Sequence, residues 1–276
     1  MGEAARENVL RLEGVTLRFD EETALDNVSF ELVAGESCVI LGAAGSGKTV
    51  LLKTALGLLT PDEGRVFLFG REITDLAESE LAELRARVGI LFQEGGLFDS
   101  LTIEENVGYP LVNQRAVHCP PEQVLPRVED ALRFVELEHT LDKFPSELSG
   151  GMRRRVGIAR ANVTEPQLVL YDSPTAGLDP ITAFTIMALI IKERDTKNTT
   201  TVMVTHLYRD GRVLANYRYN ASTGKVQPVA TNGSGRGLET KFLVMQGGRL
   251  VFEGSEQELL AATEPYLRKF VTRLEN

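Results

Sequence analysis

The 276-residue sequence contains no tryptophan, two cysteines and three histidines. Cys38 lies in an apolar run and Cys119 in a proline-rich stretch. Two cysteines without a recognisable spacing predict reduced thiols rather than a disulfide framework or a metal site. No apolar stretch approaches the roughly 20 residues that span a membrane, and Met1 to Asn8 lack the basic and apolar regions of a signal peptide. These absences predict a soluble protein of the cytoplasm.

The formal net charge of −9 leaves the chain without the basic surplus that general binding to nucleic acid requires. We therefore expect no nucleic-acid partner. One local basic cluster, Arg153 to Arg155, is predicted to be a solvated helix face. With 43% apolar residues, the composition is that of an ordinary globular protein with a core to bury.

The pattern G-x-x-x-x-G-K-T runs from Gly42 to Thr49, directly after the apolar run Cys38 to Leu41. Glycines in such a loop let backbone N–H groups turn toward phosphate oxygens, and the helix that follows presents its positive end there. The lysine reaches the outer phosphates, and the threonine hydroxyl can ligate Mg²⁺. The residues assigned to the nucleotide are Gly42, Gly45, Ser46, Gly47, Lys48 and Thr49. The pattern predicts a nucleoside triphosphate site, the alternative being a glycine-rich turn of the same spacing.

Apolar runs alternate with helical patterns along most of the chain. Leu10 to Phe19 and Val28 to Val33 predict an antiparallel opening sheet. Later strands at 65–69, 88–92, 167–171 and 200–204 alternate with helices at about 48–58 and 181–194, which is typical of a parallel sheet. From about 94 to 163 the pattern is helical. The sequence thus predicts an α/β fold: a P-loop NTPase core with a mainly parallel sheet, an antiparallel β subdomain and an inserted α-helical subdomain.

The apolar run Leu168 to Tyr171 ends in Asp172. This arrangement resembles a Walker B element, in which an acidic residue at the strand tip holds Mg²⁺ through water, opposite the lysine and threonine of the phosphate loop. Apolar strands that end in aspartate are common. The alternative is therefore a loop or helix-cap residue.

Further motifs accompany the phosphate loop in a fixed order. They are Gln93 after a strand, Leu148-Ser149-Gly150-Gly151-Met152 before a helix, the strand ending in Asp172, Gly177-Leu178-Asp179, and His206 after a strand. Alone, Ser149 followed by two glycines is also the pattern of a helix N-cap. Taken together, from about Leu10 to His206, the motifs resemble the nucleotide-binding subunit of an ATP-binding cassette (ABC) transporter. Strands at 242–245 and 250–252 resemble its closing hairpin.

The resemblance implies that the nucleotide is ATP with Mg²⁺. Phe19 would stack on adenine, with a plain core aromatic as the alternative. Gln93 would touch Mg²⁺ and relay the nucleotide state to a permease, and His206 would contact the γ-phosphate. The implied metal ligands are Thr49, Gln93 and Asp172.

The resemblance also implies a second copy of the chain. Ser149, Gly150 and Gly151 would meet the γ-phosphate of an ATP held by the opposite subunit, and Asp179 is assigned to the bound nucleotide as well. The implied assembly is a head-to-tail dimer with ATP in its interface.

One residue departs from the family pattern. Where the family has a glutamate after the Walker B aspartate, this chain has Ser173. A hydroxyl without an activating partner does not accept a proton at neutral pH, whereas a positioned general base contributes about 10²- to 10⁴-fold in rate. Either hydrolysis is slow, or the subunit binds ATP without turnover beside an active partner, or the serine is a laboratory substitution. The implied catalytic residues of this ATPase are Lys48, Gln93, Asp172, Ser173 and His206.

The stretches Gln93 to Thr102, Glu104 to Val107 and Phe144 to Arg153 are similar to the Mla-type (maintenance of lipid asymmetry) ATPases, which serve Mce-domain lipid transporters. That similarity implies an integral membrane permease and an Mce-domain lipid-binding protein as partners. It also implies a peripheral position on the inner face of the cell membrane. The alternatives are an ATP-binding scaffold that does not hydrolyse ATP and a soluble ABC protein without a permease.

The expected domain boundaries are 8–254 for the nucleotide-binding domain and 255–276 for a C-terminal amphipathic helix. Leu207 stands where the family has an acidic residue after the histidine. The polar segment 208–238 is predicted to be an extended hairpin or a mobile loop inserted into the domain.

Overall fold

The computed structural model describes residues 7–229 and 240–271. The strands are β1 (Asn8–Phe19), β2 (Glu22–Val33), β3 (Ser37–Gly42), β4 (Glu63–Leu68), β5 (Arg71–Glu72), β6 (Val88–Leu91), β7 (Leu168–Asp172), β8 (Thr200–Thr205), β9 (Tyr217–Asn220), β10 (Lys225–Pro228), β11 (Thr240–Gln246) and β12 (Arg249–Gly254). The helices are α1 (Lys48–Ala55), α2 (Glu78–Arg85), α3 (Ile103–Asn113), α4 (Pro121–Phe134), α5 (Gly150–Asn162), α6 (Pro180–Lys197), α7 (Tyr208–Asn216), α8 (Glu256–Ala261) and α9 (Pro265–Val271). This α/β architecture, with a mainly parallel sheet, a separate antiparallel sheet and inserted helices, confirms the predicted fold class.

The main sheet has the strand order β12-β11-β3-β8-β7-β6. From β11 to β6 the neighbouring strands are parallel, and β12 pairs antiparallel with β11 at one edge. Every residue of β3, β7 and β8 is buried. Strands covered on both faces have no reason to alternate polar and apolar residues, which explains the continuous apolar runs of β3 and β7. The strand that leads into the phosphate loop is therefore central.

Successive residues of a central strand enter two different cores. Val39 and Leu41 pack among the inserted helices, whereas Cys38 and Ile40 pack with α1 and the antiparallel sheet, whose order is β2-β1-β4-β5. Both cysteines are free, and burial raises the pKa of the Cys38 thiol to about 12. Cys38 is thus an inert core residue.

The inserted helices α3, α4 and α5 lie between β6 and β7 in the sequence. A capping box begins α3: the Thr102 hydroxyl accepts from the Glu105 backbone N–H at 3.2 Å, and the Glu105 carboxylate accepts from the Thr102 N–H at 2.8 Å. Buried valines of the three helices, Val107, Val128 and Val156, join the core beneath β3 and β7. Local capping and shared burial fix this unit on the sheet.

Two segments differ from the sequence prediction. Residues 208–216 form the helix α7, and only 217–228 form the predicted hairpin, β9 with β10. Thr231 to Gly235 lie outside the described residues. The C-terminal segment is two short helices, α8 and α9, rather than one, because Pro265 begins the second helix and cannot donate a hydrogen bond to the turn before it. Within the described ranges, no helix is both long and apolar enough to cross a membrane.

Glu193 is a buried carboxyl group in α6. Burial raises its pKa from the usual 4.5 to about 7, while the charge of Lys197 opposes that rise, Glu165 adds to it and Lys192 opposes it. The carboxyl group borders cavities of about 230 and 380 Å³. Ionising Glu193 near neutral pH therefore costs the folded state free energy.

Candidate functional site

Four adjacent strands bring the predicted site residues to one edge of the main sheet. In the order β3, β8, β7, β6, the strands end at the phosphate loop, His206, Asp172 and Gln93. The register places Leu41 beside Thr205, and Asp172 beside Val204. Carboxyl ends of parallel strands are the usual place for ligands in such sheets. Residues far apart in sequence therefore meet here because of topology.

The phosphate loop requires its glycines for conformation and for space. Gly45 and Gly47 have φ angles of 75° and 97°, a region that residues with a Cβ rarely adopt. A Cβ on Gly47 would lie 2.5 Å from the backbone oxygen of Ala24. Gly47 caps α1, so the loop runs directly into the positive end of that helix.

Lys48 folds back into the loop that precedes it. Its Nζ donates to the carbonyl oxygens of Gly42 at 2.9 Å and Ala43 at 2.7 Å, and to the Ser46 hydroxyl at 3.2 Å. Burial lowers the pKa of the ammonium group, and the charge of Asp172 opposes that change. A buried ammonium held by neutral carbonyls would gain stronger, charge-assisted bonds from an anion in the loop.

The Asp172 carboxylate accepts two hydrogen bonds from hydroxyl groups, one on each oxygen. Thr49 Oγ1 donates to Oδ2 at 2.9 Å, and Ser173 Oγ donates to Oδ1 at 3.0 Å. The carboxylate is only 5% exposed. A hydroxyl and a carboxylate at the mouth of a phosphate loop are hard oxygen donors of the kind that Mg²⁺ accepts. The two residues thus fit the predicted metal role.

Ser173 occupies a constrained backbone position. Its φ is 49°, and its N–H donates to the carbonyl of Val204 at 2.8 Å. The hydroxyl is committed to Asp172, so the serine supplies a hydrogen bond and no base.

The arginine cluster is not a solvated helix face, and that prediction is wrong. Arg153 Nη1 donates to the Leu148 carbonyl at 2.6 Å, and Arg155 Nη1 donates to the Val135 carbonyl at 3.0 Å. Arg154 is 4% exposed and donates to the loop after Asp172. Carbonyls of neighbouring loops need donors, and the three guanidinium groups provide them.

The residues predicted to meet the opposite subunit's ATP form a second group. Ser149 caps α5 by accepting from the Met152 N–H at 3.3 Å, and Asp179 caps α6 by accepting from two backbone N–H groups at 3.0 Å. Both border a cavity of about 490 Å³ with Gly150 and Gly151. The group thus lines a cavity to which the phosphate loop of the same chain does not contribute.

The two glycines of this group have different surroundings. A Cβ on Gly151 would lie 2.6 Å from Thr182 Cγ2, whereas a Cβ on Gly150 would meet only Arg153 Nη2, at 3.9 Å. The first turn of α5 is therefore packed against the first turn of α6 at Gly151.

The remaining predicted residues lie on the surface. Gln93 and His206 are exposed at the ends of β6 and β8. Phe19, the last residue of β1, is 47% exposed. An exposed aromatic ring is unlike the plain core residue of the alternative interpretation, and it is free to stack on a ligand.

Sequence reasoning missed two residues near the site. Asp210 in α7 is buried and accepts from the hydroxyls of Thr175 and Thr205, the latter at 3.4 Å, and burial raises its pKa. This carboxylate lies three residues beyond Leu207. Its signal in the sequence was the aspartate in the first turn of a helix, hidden because that helix was not predicted.

Tyr266 in α9 is the second missed residue. Its hydroxyl donates to the Met245 carbonyl at 2.9 Å and accepts from the Ala43 N–H at 3.4 Å. The C-terminal segment thereby contacts the phosphate loop itself. No local pattern marks such a contact, because it joins residues more than 200 positions apart.

Comparisons with known proteins agree with this geometry. The family model described as ABC transporter matches residues 25–176. The ribonucleotide transport ATP-binding protein mkl of Mycobacterium leprae, described as probable, is 34% identical over 262 residues, which are 95% of this chain and 68% of that protein. The intermembrane phospholipid transport system ATP-binding protein MlaF of Haemophilus influenzae is 34% identical over 226 residues, 82% of this chain and 85% of that protein. A methionine import ATP-binding protein MetN of Carboxydothermus hydrogenoformans is 41% identical over 186 residues, 67% of this chain and 54% of that protein.

A solved structure extends the comparison to the fold. The dimeric ATP-binding cassette MJ0796, bound to ADP and Pi in a post-hydrolysis state, superposes with a TM-score of 0.74 at 30% identity, covering 90% of this chain and 98% of that one. The phosphate loop, the adjoining Asp172 and the paired sheets therefore belong to a known architecture. On the family match, the sequence relatives and the shared fold, the chain belongs to the ABC transporters as an ATP-binding subunit.

Proposed function

We propose that the chain binds and slowly hydrolyses Mg-ATP to drive a membrane permease that moves a phospholipid or another lipid. The observation that carries the proposal is the hydrogen-bonded series at the sheet edge: Lys48 in its loop, and Thr49 and Ser173 on the two oxygens of Asp172. This series places a hydrogen-bond donor for phosphate oxygens beside the Thr49 and Asp172 oxygens that could bind a metal.

Each site residue has a role in this proposal. Lys48 moves from loop carbonyls to the outer phosphates, and Thr49 and Asp172 hold Mg²⁺ with Gln93. Phe19 stacks on adenine, and His206 contacts the γ-phosphate. Mg²⁺, when bound, offsets the charge that develops on the phosphates.

ATP completes a dimer in the proposal. Ser149, Gly150, Gly151 and Asp179 line a cavity to which the phosphate loop of their own chain does not contribute, and each stands at or next to a helix N-terminus. A helix N-terminus favours an anion. In a head-to-tail pair, these residues would close over the ATP of the second copy, as the dimeric state of the MJ0796 cassette supports.

An exposed aromatic patch marks the proposed permease surface. The rings of Phe98 and Tyr109 lie 4.7 Å apart, and Arg160 lies 5.7 Å from the Phe98 ring. Asn106 orders the loop by donating to the carbonyls of Phe98 and Leu101, both at 3.0 Å. An ordered, exposed apolar patch next to Gln93 suits a short amphipathic helix of the permease.

The lipid is the finer part of the proposal. Relatives are named for phospholipid, ribonucleotide and methionine transport, and the similarity of 93–107 and 144–153 to the Mla type favours the first. The proposed partners are then the permease and an Mce-domain lipid-binding protein, with the subunit peripheral on the inner face of the cell membrane. Ser173 favours a second candidate, an ATP-binding scaffold subunit that does not hydrolyse.

Calorimetry with Mg-ATP tests the nucleotide site. Lys48→Ala removes a charge-assisted contact worth about 1.5 to 3 kcal/mol, so affinity is expected to fall by about tenfold or more. Lys53→Ala changes an exposed lysine of the same helix and is the matched control. Equal affinity for the Lys48→Ala protein and its control would refute the site.

Co-purification tests the permease surface. Phe98→Glu, at a residue 43% exposed, is expected to abolish capture of the cognate permease, because it places a charge in an apolar contact. Val251→Glu, 45% exposed on the opposite edge strand β12, is the control and is expected to retain it. Capture that survives Phe98→Glu in a folded protein would contradict the assignment.

A further inference from the structure

Arg154 holds the loop that follows Asp172. Its Nη1 donates to the carbonyl oxygens of Ser173 at 2.9 Å and Pro174 at 2.7 Å, and its Nη2 donates to that of Ala176 at 3.2 Å. One guanidinium group thus gathers three carbonyls from four consecutive residues. The side chain is almost fully buried, so these bonds are shielded from water.

Other bonds also hold this loop: the Ser173 N–H donates to the Val204 carbonyl, and the Thr175 hydroxyl donates to buried Asp210. Ser173 is in the left-handed region and Gly177 has a φ of 74°. Single backbone bonds close the turn, from Ala176 N to Ser173 O at 3.1 Å and from Leu178 N to Thr175 O at 3.2 Å. The Ser173 carbonyl accepts from both Ala176 N and Arg154 Nη1, and of these two donors only the arginine belongs to α5. Arg154 therefore ties this carbonyl to the helix.

Arg154 is also part of the helix that begins at Ser149. Arg154 is five positions after Ser149, so its backbone lies about one and a half turns from the helix start. The same side chain borders a cavity of about 530 Å³ that Gln93 and Leu178 share. Three segments meet at this group: the residues after β6, the start of α5 and the loop after β7.

We propose that Arg154 is a positioning residue that couples the start of α5 to the loop that follows Asp172 in its own chain. The inference rests on the proposed function. When the start of α5 closes on the ATP of the second copy, the rigid helix carries the guanidinium with it. The carbonyls of Ser173, Pro174 and Ala176 follow, and closure at one nucleotide is transmitted to the other.

The chemistry of arginine suits this task. A planar guanidinium presents several N–H donors in a fixed fork, whereas a lysine ammonium is a single point on a flexible stem. The next residue offers a matched control, since Arg155 is on the same helix and bonds a carbonyl outside the loop, that of Val135 at 3.0 Å.

A tryptophan reporter measures the coupling without requiring hydrolysis. The chain has no tryptophan, so Leu178→Trp places a single fluorophore in the held loop, where it borders both the cavity of Gln93 and that of Ser149. Emission and Mg-ATP affinity are recorded in this parent and in its Arg154→Gln, Arg154→Lys and Arg155→Gln derivatives. Thermal melting establishes that each is folded.

Arg154→Gln is expected to remove most of the ATP-dependent change in emission. ATP affinity is expected to change less than about threefold, because Lys48 is untouched. Arg154→Lys keeps the charge and folds, with a partial loss. Arg155→Gln leaves both readouts as in the parent. Three results would overturn the coupling alone. They are a full emission change in Arg154→Gln with ATP bound, a loss in Arg155→Gln equal to that in Arg154→Gln, and a parent whose emission does not change when ATP binds. A parent that does not bind ATP would overturn the proposed function as well.

Discussion

Replacing Ser173 by glutamate is expected to accelerate ATP hydrolysis. The serine N–H bond to Val204 and the φ of 49° are backbone features that a glutamate inherits. Both residues carry a Cβ, so the left-handed conformation costs them similarly, and the exchange adds no new backbone strain. What changes is the side chain: the hydroxyl that donates to Asp172 Oδ1 is lost, and a carboxylate takes its place.

The rate gained from a general base should exceed the rate lost with the serine hydrogen bond. A positioned general base contributes about 10²- to 10⁴-fold, which is about 3 to 5 kcal/mol of activation free energy. The lost hydrogen bond to a carboxylate is worth about 1.5 to 3 kcal/mol, but it stabilises the ground state and transition state alike. Bound Mg²⁺ would offset the repulsion between the new carboxylate and Asp172. We expect a net increase of about 10²-fold or more in turnover, with ATP affinity nearly unchanged.

Steady-state phosphate release from the assembled transporter measures this effect. Ser173→Gln has the length of glutamate without its basicity and is the control. The original chain should also form ATP-dependent dimers that open slowly, since γ-phosphate cleavage is impaired. A wild-type rate equal to or above that of Ser173→Glu would refute the reasoning and show that another group, His206 or a further residue, activates the water. A glutamine variant as fast as the glutamate variant would refute the role of the base.

Three further changes have defined outcomes. Tyr266→Phe keeps the edge contact with Phe270 and removes one hydroxyl, so ATP affinity by calorimetry should fall about threefold; unchanged affinity would show that the C-terminal contact does not order the loop. Gly151→Ala should lower the free energy of unfolding by about 1 to 3 kcal/mol in urea, while Gly150→Ala should not, and equal values would contradict the packing against Thr182. Glu193 has a raised pKa, so its contribution to stability is present below about pH 4.5 and is lost as the pH rises through about 7. The effect of Glu193→Gln on the free energy of unfolding should therefore be more stabilising at about pH 8 than at about pH 5, by up to about 3 kcal/mol. An effect of Glu193→Gln that does not depend on pH would contradict this.

The sequence predicts the parts of this molecule that depend on local pattern. Buried runs such as Leu168 to Tyr171 and the loop from Gly42 to Thr49 have their meaning within a few residues, so the strands and the phosphate loop follow directly. Arg154 could not be placed in this way. Its partners lie about 20 residues further along, and nothing in a run of three arginines distinguishes a buried one from an exposed one.

The C-terminal third was harder to predict for a related reason. Helix α7 is rich in polar residues, so the sequence predicts a hairpin or loop over all of 208–216, Asp210 included. The contact of Tyr266 with Ala43 exists only because β11 pairs beside β3, which brings the end of the chain to the phosphate loop. Long-range pairing, not local propensity, therefore decides the contact of Tyr266.

The order of strands also gives the site unequal stiffness. β3 is hydrogen-bonded on both sides, by β11 and β8, while β6 is the last strand of the described sheet and has β7 as its neighbour. Local opening is least frequent in central strands and most frequent at edges. Amide protons of β3 should therefore exchange with solvent far more slowly than those of β6. The phosphate loop therefore follows a rigid central strand, whereas Gln93 follows the edge strand β6, whose backbone opens more readily.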